Sequence, residues 1–182
     1  MKYNTIILGG GVAGLTAGMY LARANLPCLI LEGYNWGGQT ALLNNVSNYP
    51  AIKETSGFEI ADVLYQQVKE LDAEMKKELV IKVNQKDNLY EVTTNKHKYY
   101  ANNIIIATGA KTTQLGLADE KKFIGKGVSY CATCDGNFFK RRLVAVYGSG
   151  KTAIEDVKYL SNLCEKVYWI LPNSKLDNDI VK

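Results

Sequence analysis

The chain has 182 residues, 47% of them hydrophobic and 22% charged, with a formal net charge of +4. That suits one large domain, or one and a half smaller ones, around a buried core. The basic residues are scattered, with Lys121-Lys122 and Lys140-Arg141-Arg142 too short to argue for nucleic acid, and no apolar run approaches the ~20 residues a membrane helix needs.

Tyr3 to Leu8 reads as a strand that begins almost at once, so no secretory signal is expected and the cytosol is the expected compartment. It ends in Gly9-Gly10-Gly11-Val12-Ala13-Gly14, a strand, glycine turn and helix start in dinucleotide-binding order. Gly9 is expected to make the tight turn, Gly11 to admit a pyrophosphate and Gly14 to let helix and strand pack closely. The helix N-terminus offers N–H groups to the phosphates. Small residues at Ala13, Ala17 and Gly18 keep one helix face near the sheet. A second strand, Pro27 to Leu31, leads to Glu32, an acid spaced to bind ribose hydroxyls, and Cys28 within it reads as a small buried hydrophobe.

A loop rich in glycine and amides follows, Gly33-Tyr34-Asn35-Trp36-Gly37-Gly38-Gln39 through Asn44, Asn45 and Asn48 to Pro50. Its place beside a nucleotide turn favours a functional loop over an ordinary polar one. Ser56 with Glu59 forms a capping box, and Ile60, Leu64, Val68 and Leu71 make a core stripe at helical spacing. Leu79 to Val83, Leu89 to Thr93 and Lys98 to Tyr100 read as a small antiparallel meander inserted in the nucleotide-binding domain. His97, flanked by lysines at its last turn, reads as solvated. Ile104-Ile105-Ile106 reads as a buried parallel strand ending at Ala107-Thr108-Gly109-Ala110.

Residues 111–126 are polar and hinge-like, which places the domain boundary there, with 1–112 and 113–182 on either side. Cys131-Ala132-Thr133-Cys134-Asp135 comes next. A C-x-x-C can close a small disulfide or supply half of a tetrahedral zinc site. Zinc needs two more ligands at comparable spacing, and Cys28, Cys164 and His97 are isolated, so a redox-active pair is the better reading. In the cytosol such a pair is catalytic more often than structural. Leu143 to Tyr147 is a strand running into Gly148-Ser149-Gly150-Lys151-Thr152-Ala153, a second fingerprint of G-x-G-x-x-A form. A P-loop would need glycine at Ala145 and is rejected. Ala153, Val157, Leu160 and Cys164 share one helix face, and Lys166 to Leu171 closes the pattern as a strand.

Two fingerprints with a C-x-x-C between them form a specific combination, and over nearly its whole length the chain resembles the low-molecular-weight thioredoxin reductases. The likeness rests on G-G-G-V-A-G (9–14), G-G-Q (37–39), A-T-G-A (107–110), C-A-T-C-D (131–135) and G-S-G-K-T-A (148–153). Relatives of the glutathione-reductase type would carry a C-x-x-x-x-C just after the first acid, where this chain has Asn35-Trp36-Gly37-Gly38-Gln39. The resemblance implies an α/β protein of two Rossmann-like, three-layer ββα dinucleotide-binding domains, the second incomplete. It implies FAD held by Gly9, Gly11, Val12, Ala13, Gly14, Glu32, Gly38, Gln39, Asn48, Val83, Thr108 and Gly109, and a pyridine nucleotide, NADPH or NADH, at Gly148, Gly150 and Ala153.

It further implies a redox disulfide Cys131–Cys134 in a second domain that rotates against the first, Cys134 facing the flavin, Cys131 attacking thioredoxin or a thioredoxin-like protein, and Asp135 moving the proton. A homodimer, with no nucleic-acid or membrane partner, is expected. The family's nucleotide site usually carries His-Arg-Arg after the last strand and another arginine four residues on. Here Leu171-Pro172-Asn173 and Asp177 stand instead, so a 2′-phosphate lacks a guanidinium, and no acid closes the strand for NADH. Family members also continue well past this length, so a fragment is expected. The alternatives are the same disulfide chemistry driven by reduced ferredoxin, and an FAD-binding module without turnover.

Overall fold

Strand β1 (Lys2–Leu8) is the axis of the first of two units into which the chain divides, Met1–Lys111 and Thr112–Lys182. The structure, a computed structural model, describes residues 2–172. Ile6 and Ile7 are both fully buried although adjacent, because successive strand side chains point to opposite faces and both faces are covered. Ile7 packs with Leu15, Ile30 and Val68, beneath helices α1 (Val12–Arg23) and α2 (Gly57–Glu70). Ile6 packs with Leu29, Leu31, Val92 and Tyr99 on the other face.

The strands β2 (Cys28–Glu32), β3 (Glu74–Lys77), β4 (Val80–Lys86), β5 (Leu89–Thr94) and β6 (Lys98–Ile106) complete a six-stranded sheet of order β3-β2-β1-β6-β5-β4. Its first four members are parallel, and β4-β5-β6 are antiparallel. The expected meander is therefore part of the main sheet. Its last strand and the expected parallel strand are one element, β6, which pairs with β5 through Lys98–Ala101 and with β1 through Tyr100–Ile106. The short edge strand β3 has no apolar period to announce it: Glu-Met-Lys-Lys takes strand form because β2 offers a free parallel edge.

The α2 cap is as expected, with the Glu59 N–H donating to Ser56 Oγ at 3.2 Å and the Ser56 N–H to Glu59 Oε2 at 3.0 Å. Ile60 and Val68 are buried and Leu64 packs beside them, but Leu71 is exposed, because it is the C-cap and the stripe has run off the helix. Ile104 and Ile105 are half-buried and Ile106 is 77% exposed, so the strand is parallel to β1 but not the buried one expected. Cys28 is buried in β2.

The second unit contains a βαβ crossover: β7 (Leu143–Tyr147) and β8 (Lys166–Ile170) are parallel, joined by the helix over Lys151–Ser161. Val146, Ala153 and Leu160 form its core, with Val157 and Cys164 packed against them, the helix face expected. Ahead of this lie two single-turn helices, α3 (Glu120–Phe123) and α4 (Ala132–Asp135), so the crossover helix is α5. Asn173 and Asp177 lie outside the described residues. Among the described residues, no helix is long and apolar enough to cross a membrane.

His97 is exposed but not merely solvated, because its Nδ1 lies 2.9 Å from Glu78 Oε1. Glu78 is itself buried and also accepts from Thr94 Oγ1 at 2.6 Å and the Tyr99 hydroxyl at 3.0 Å. Burial pushes the Glu78 carboxyl up, but the hydrogen bonds from Thr94, His97 and Tyr99 outweigh it and hold the group below the usual carboxylate range. A carboxyl depressed in the folded state stabilises fully above its unfolded pKa and loses that contribution as pH falls through the folded value. Glu78→Ala, which takes the acceptor from the Tyr99 hydroxyl while Thr94 Oγ1 keeps the His97 carbonyl at 3.0 Å, is expected to destabilise by roughly 1–3 kcal/mol at neutral pH. The gap to wild type should narrow below about pH 4.3, as urea unfolding at a series of pH values will measure.

Candidate functional site

The first unit presents a glycine-walled cradle at the end of β1. Gly9 has φ +109°, and a Cβ there would stand 2.3 Å from the Ala107 carbonyl oxygen, so a side chain is excluded twice over. At Gly14 a Cβ would stand 1.9 Å from the Gly9 oxygen, which sets α1 directly on the turn. Gly11 differs: a Cβ would meet nothing closer than Gly38 Cα at 3.9 Å, so the space above it is open. Gly11 is also the α1 N-cap and makes no side-chain cap. The first N–H groups of α1, at Val12, Ala13 and Gly14, have no intrahelical partner, an arrangement that suits an anion.

Glu32 ends β2, buried, and both its oxygens accept from backbone: Gly10 N–H at 2.7 Å and Tyr34 N–H at 2.7 Å. The acid expected to bind ribose thus braces the glycine turn as well, and each oxygen keeps a lone pair. Sequence reasoning gave no role to Gly10 or Trp36. The Trp36 ring covers Gly10 so closely that a Cβ would fall 2.4 Å from it, and the ring also meets Tyr65 of α2 at 5.6 Å between centroids. The Gly37 N–H donates to the Gly10 carbonyl at 2.8 Å, and Gly37 and Gly38 have φ of +88° and +57°. This brings G-G-Q against the fingerprint.

Gln39, Asn48, Thr108 and Gly109 are exposed, Thr108 beside Gly9 and Gly109 with φ +69°. Val83 lies along β4, paired with Val92, while it is Leu79 that packs against the chain leaving Glu32, its Cδ1 2.6 Å from the position of a Gly33 Cβ.

In the second unit Cys131 and Cys134 are joined as a disulfide, with Cα atoms 5.3 Å apart. Cys131 is the N-cap of α4, and its Sγ accepts the Cys134 N–H at 3.2 Å, a contact that favours negative charge on that sulfur. Cys134 is the more exposed of the two. Asp135 closes the same turn, its N–H on the Cys131 carbonyl at 3.1 Å and its Oδ2 accepting from Ser129 Oγ at 2.6 Å. Ser129 escaped the sequence reading, although a serine two residues before a helix cap is a known turn signal.

Glu120 escaped it too, inside the stretch read as a polar hinge. Buried, it accepts from the N–H groups of Leu115, Gly116 and Leu117 and from the Tyr130 hydroxyl at 2.6 Å. That hydroxyl, then the Leu115 N–H, hold the Glu120 carboxyl below the usual range, and the same contact pushes Tyr130 up to about 12. The residue before Cys131 is thereby tied to the loop at 115–117.

The second fingerprint repeats the first in outline. Gly148 has φ +148° and would place a Cβ 3.0 Å from the Ala153 Cβ. Its N–H reaches the Ile170 carbonyl at 3.0 Å, and its own carbonyl accepts from Trp169 Nε1 at 2.7 Å. Gly150 caps α5, with nothing within 4 Å of a Cβ. A cavity of about 650 Å³ is lined by Ser129, Cys131 and Asp135 and also by Gly148, Gly150 and Ala153, so the disulfide and the second turn share one space. Among the described residues no group of three or more His, Cys, Asp or Glu could hold a metal ion.

Two dinucleotide-type turns and a closed C-x-x-C define a nucleotide-dependent disulfide oxidoreductase architecture. The chain belongs to the pyridine nucleotide-disulphide oxidoreductase family, which it matches over residues 3–180. It is 46% identical over 166 residues to a thioredoxin reductase of Buchnera aphidicola from Acyrthosiphon pisum, covering 91% of this chain and 52% of that protein. The thioredoxin reductase of Streptococcus pyogenes superposes with a TM-score of 0.85 at 38% identity, over 92% of this chain and 55% of that one. A ferredoxin-flavin thioredoxin reductase of Clostridium acetobutylicum gives 0.57 at 27% identity, over 96% and 61%. The likeness expected from the motifs is thus borne out, and the chain spans about half the length of the curated relative it matches.

The cradle separates two glycine substitutions that sequence treats alike. Gly14→Val drives methyls into the turn and is expected to unfold the first unit. Gly11→Val has room and is expected to fold with unchanged far-ultraviolet dichroism, yet to retain no FAD on titration, because its side chain fills the open space.

Proposed function

We propose that the protein is a thioredoxin-disulfide reductase, its first unit holding FAD and its Cys131–Cys134 pair passing electrons to thioredoxin or a thioredoxin-like protein. The observation that carries this reading is the closed disulfide on the same helical turn as Asp135. Gly9, Gly11, Val12, Ala13 and Gly14 would receive the FAD pyrophosphate, Glu32 the ribose, and Gly38, Gln39, Asn48, Val83, Thr108 and Gly109 the remainder. The open space over Gly11 and the unpaired first turn of α1 fit such a group. When bound, FAD supplies the two-electron chemistry that joins a donor to a thiol pair.

Once the pair is reduced, the Cys131 thiolate attacks one sulfur of the partner's disulfide. That bond breaks, a mixed disulfide forms, and the displaced thiolate takes a proton, which Asp135 would move. Cys134 then attacks Cys131 Sγ, releasing the partner's second thiol and restoring the Cys131–Cys134 bond. The N–H on Cys131 Sγ supports Cys131 as the attacker. Cytosolic operation as a homodimer belongs to the same reading. Cys134→Ser is expected to trap a mixed disulfide with thioredoxin, seen on a non-reducing gel, and Cys131→Ser to trap none. The reverse pattern would overturn the assignment. Cys28→Ala and Cys164→Ala are expected to leave exchange unchanged, at a packing cost of roughly 0.5–2 kcal/mol.

For the donor we propose that NADPH is a poor reductant, with no strong preference over NADH, and that reduced ferredoxin is the alternative. Leu171-Pro172-Asn173 and Asp177 stand where arginines are the rule, and two lost charge-assisted contacts weaken 2′-phosphate binding by roughly a hundredfold or more. The backbone turn at Gly148 and Gly150 still suits a pyrophosphate. The chain also resembles a ferredoxin-flavin enzyme, less than it resembles the reductase of Streptococcus pyogenes. Stopped-flow reduction of the FAD-loaded protein at equal NADPH and NADH is expected to give slow, similar rates. Micromolar NADPH with clear discrimination against NADH would contradict this.

A further inference from the structure

Resting on the reading that Asp135 moves the proton of disulfide exchange, we infer that Ser129 is its positioning residue, a hydroxyl that holds the Asp135 carboxyl on the redox turn in both of its protonation states. Ser129 Oγ stands 2.6 Å from Asp135 Oδ2 and 3.3 Å from the Cys131 carbonyl oxygen, and it accepts the Cys131 N–H at 3.1 Å. One hydroxyl hydrogen serves one acceptor at a time. When Asp135 is a carboxylate, the hydrogen goes to Oδ2, the shorter contact and the charged acceptor.

When Asp135 is protonated the carboxyl becomes the donor. Its O–H turns onto Ser129 Oγ, and the hydroxyl hydrogen swings to the Cys131 carbonyl. Oγ has two lone pairs, one for the Cys131 N–H and one for the Asp135 O–H, so every group is satisfied in both states. The proton can leave or arrive with no movement of the backbone that carries the disulfide. No other side chain or backbone group among the described residues bonds the Asp135 carboxyl, so its orientation rests on this contact. Alanine offers neither hydrogen bond, while threonine keeps both.

Reduction of the full chain by dithiothreitol isolates this step from the flavin. One reagent thiolate attacks the Cys131–Cys134 bond, which breaks as a mixed disulfide forms, and the displaced cysteine thiolate takes the Asp135 proton. The reagent's second thiolate closes its own ring and releases the other cysteine, so the electron pair passes from reagent to protein and Asp135 is reprotonated from solvent. Acid-quench alkylation gives the rate for wild type, Ser129→Ala, Ser129→Thr, Asp135→Asn and the Ser129→Ala, Asp135→Asn double variant.

Ser129→Ala is expected to slow reduction by about three- to tenfold, and Ser129→Thr to restore most of the rate. In the Asp135→Asn background, Ser129→Ala should cost nothing more, because both changes disable one device. A wild-type rate for Ser129→Ala, or a full further loss on top of a slow Asp135→Asn, overturns the positioning role while leaving Asp135 its part. A wild-type rate for Asp135→Asn overturns the underlying reading and this one with it.

Discussion

The seating of helix α1 on the Gly9 turn is the constraint from which the first unit follows. With 1.9 Å between a notional Gly14 Cβ and the Gly9 oxygen, helix and strand end can meet only without side chains. That contact aims the first turn of α1 at the space over Gly11. Glu32 then fixes the turn from the side, since a buried carboxylate whose two oxygens hold the Gly10 and Tyr34 N–H groups cannot shift without stranding its charge. Trp36 covers Gly10 and reaches α2, so the loop after β2, the second helix and the fingerprint brace one another. Cofactor geometry in such a cradle is set by backbone, which explains why glycine positions decide it.

The second unit uses the same strand, turn and helix with a different purpose beside it. Here a Cβ at Gly148 would stand 3.0 Å from the Ala153 Cβ, and the cavity these residues line is shared with a disulfide. The cysteine turn is too short to be rigid by itself, and it borrows order from two polar anchors. Glu120 gathers three backbone N–H groups and the Tyr130 hydroxyl just ahead of Cys131, and Ser129 ties Asp135 to the Cys131 backbone. Chemistry that breaks and remakes one bond needs such outside support, because the bond cannot hold the turn in both redox states.

What the sequence discloses and what it hides divide along the range of the interactions. The glycine turns, the Ser56–Glu59 box, the C-x-x-C and the α5 core face are local patterns, each readable within a few residues. The edge strand β3, the exposure of Ile106 and the burial of Glu78 are not local. Glu74–Lys77 is a strand only because β2 lies beside it, and Glu78 and Glu120 look like surface acids until Thr94, Tyr99 and Tyr130 arrive from elsewhere in the fold. Ser129 lies between the two cases: its spacing to Cys131 is local, but its bond to Asp135 needs α4 to form first.

In the proposed function, flavin and disulfide lie on one electron path. Anaerobic titration of the FAD-loaded protein with dithionite, followed by thiol counting, measures whether they do. Uptake of a second electron pair beyond that taken by FAD is expected, with Cys131 and Cys134 appearing as thiols, and Cys131→Ser is expected to lose that second pair. Uptake of a single pair by the wild type, with the disulfide intact, would contradict that reading.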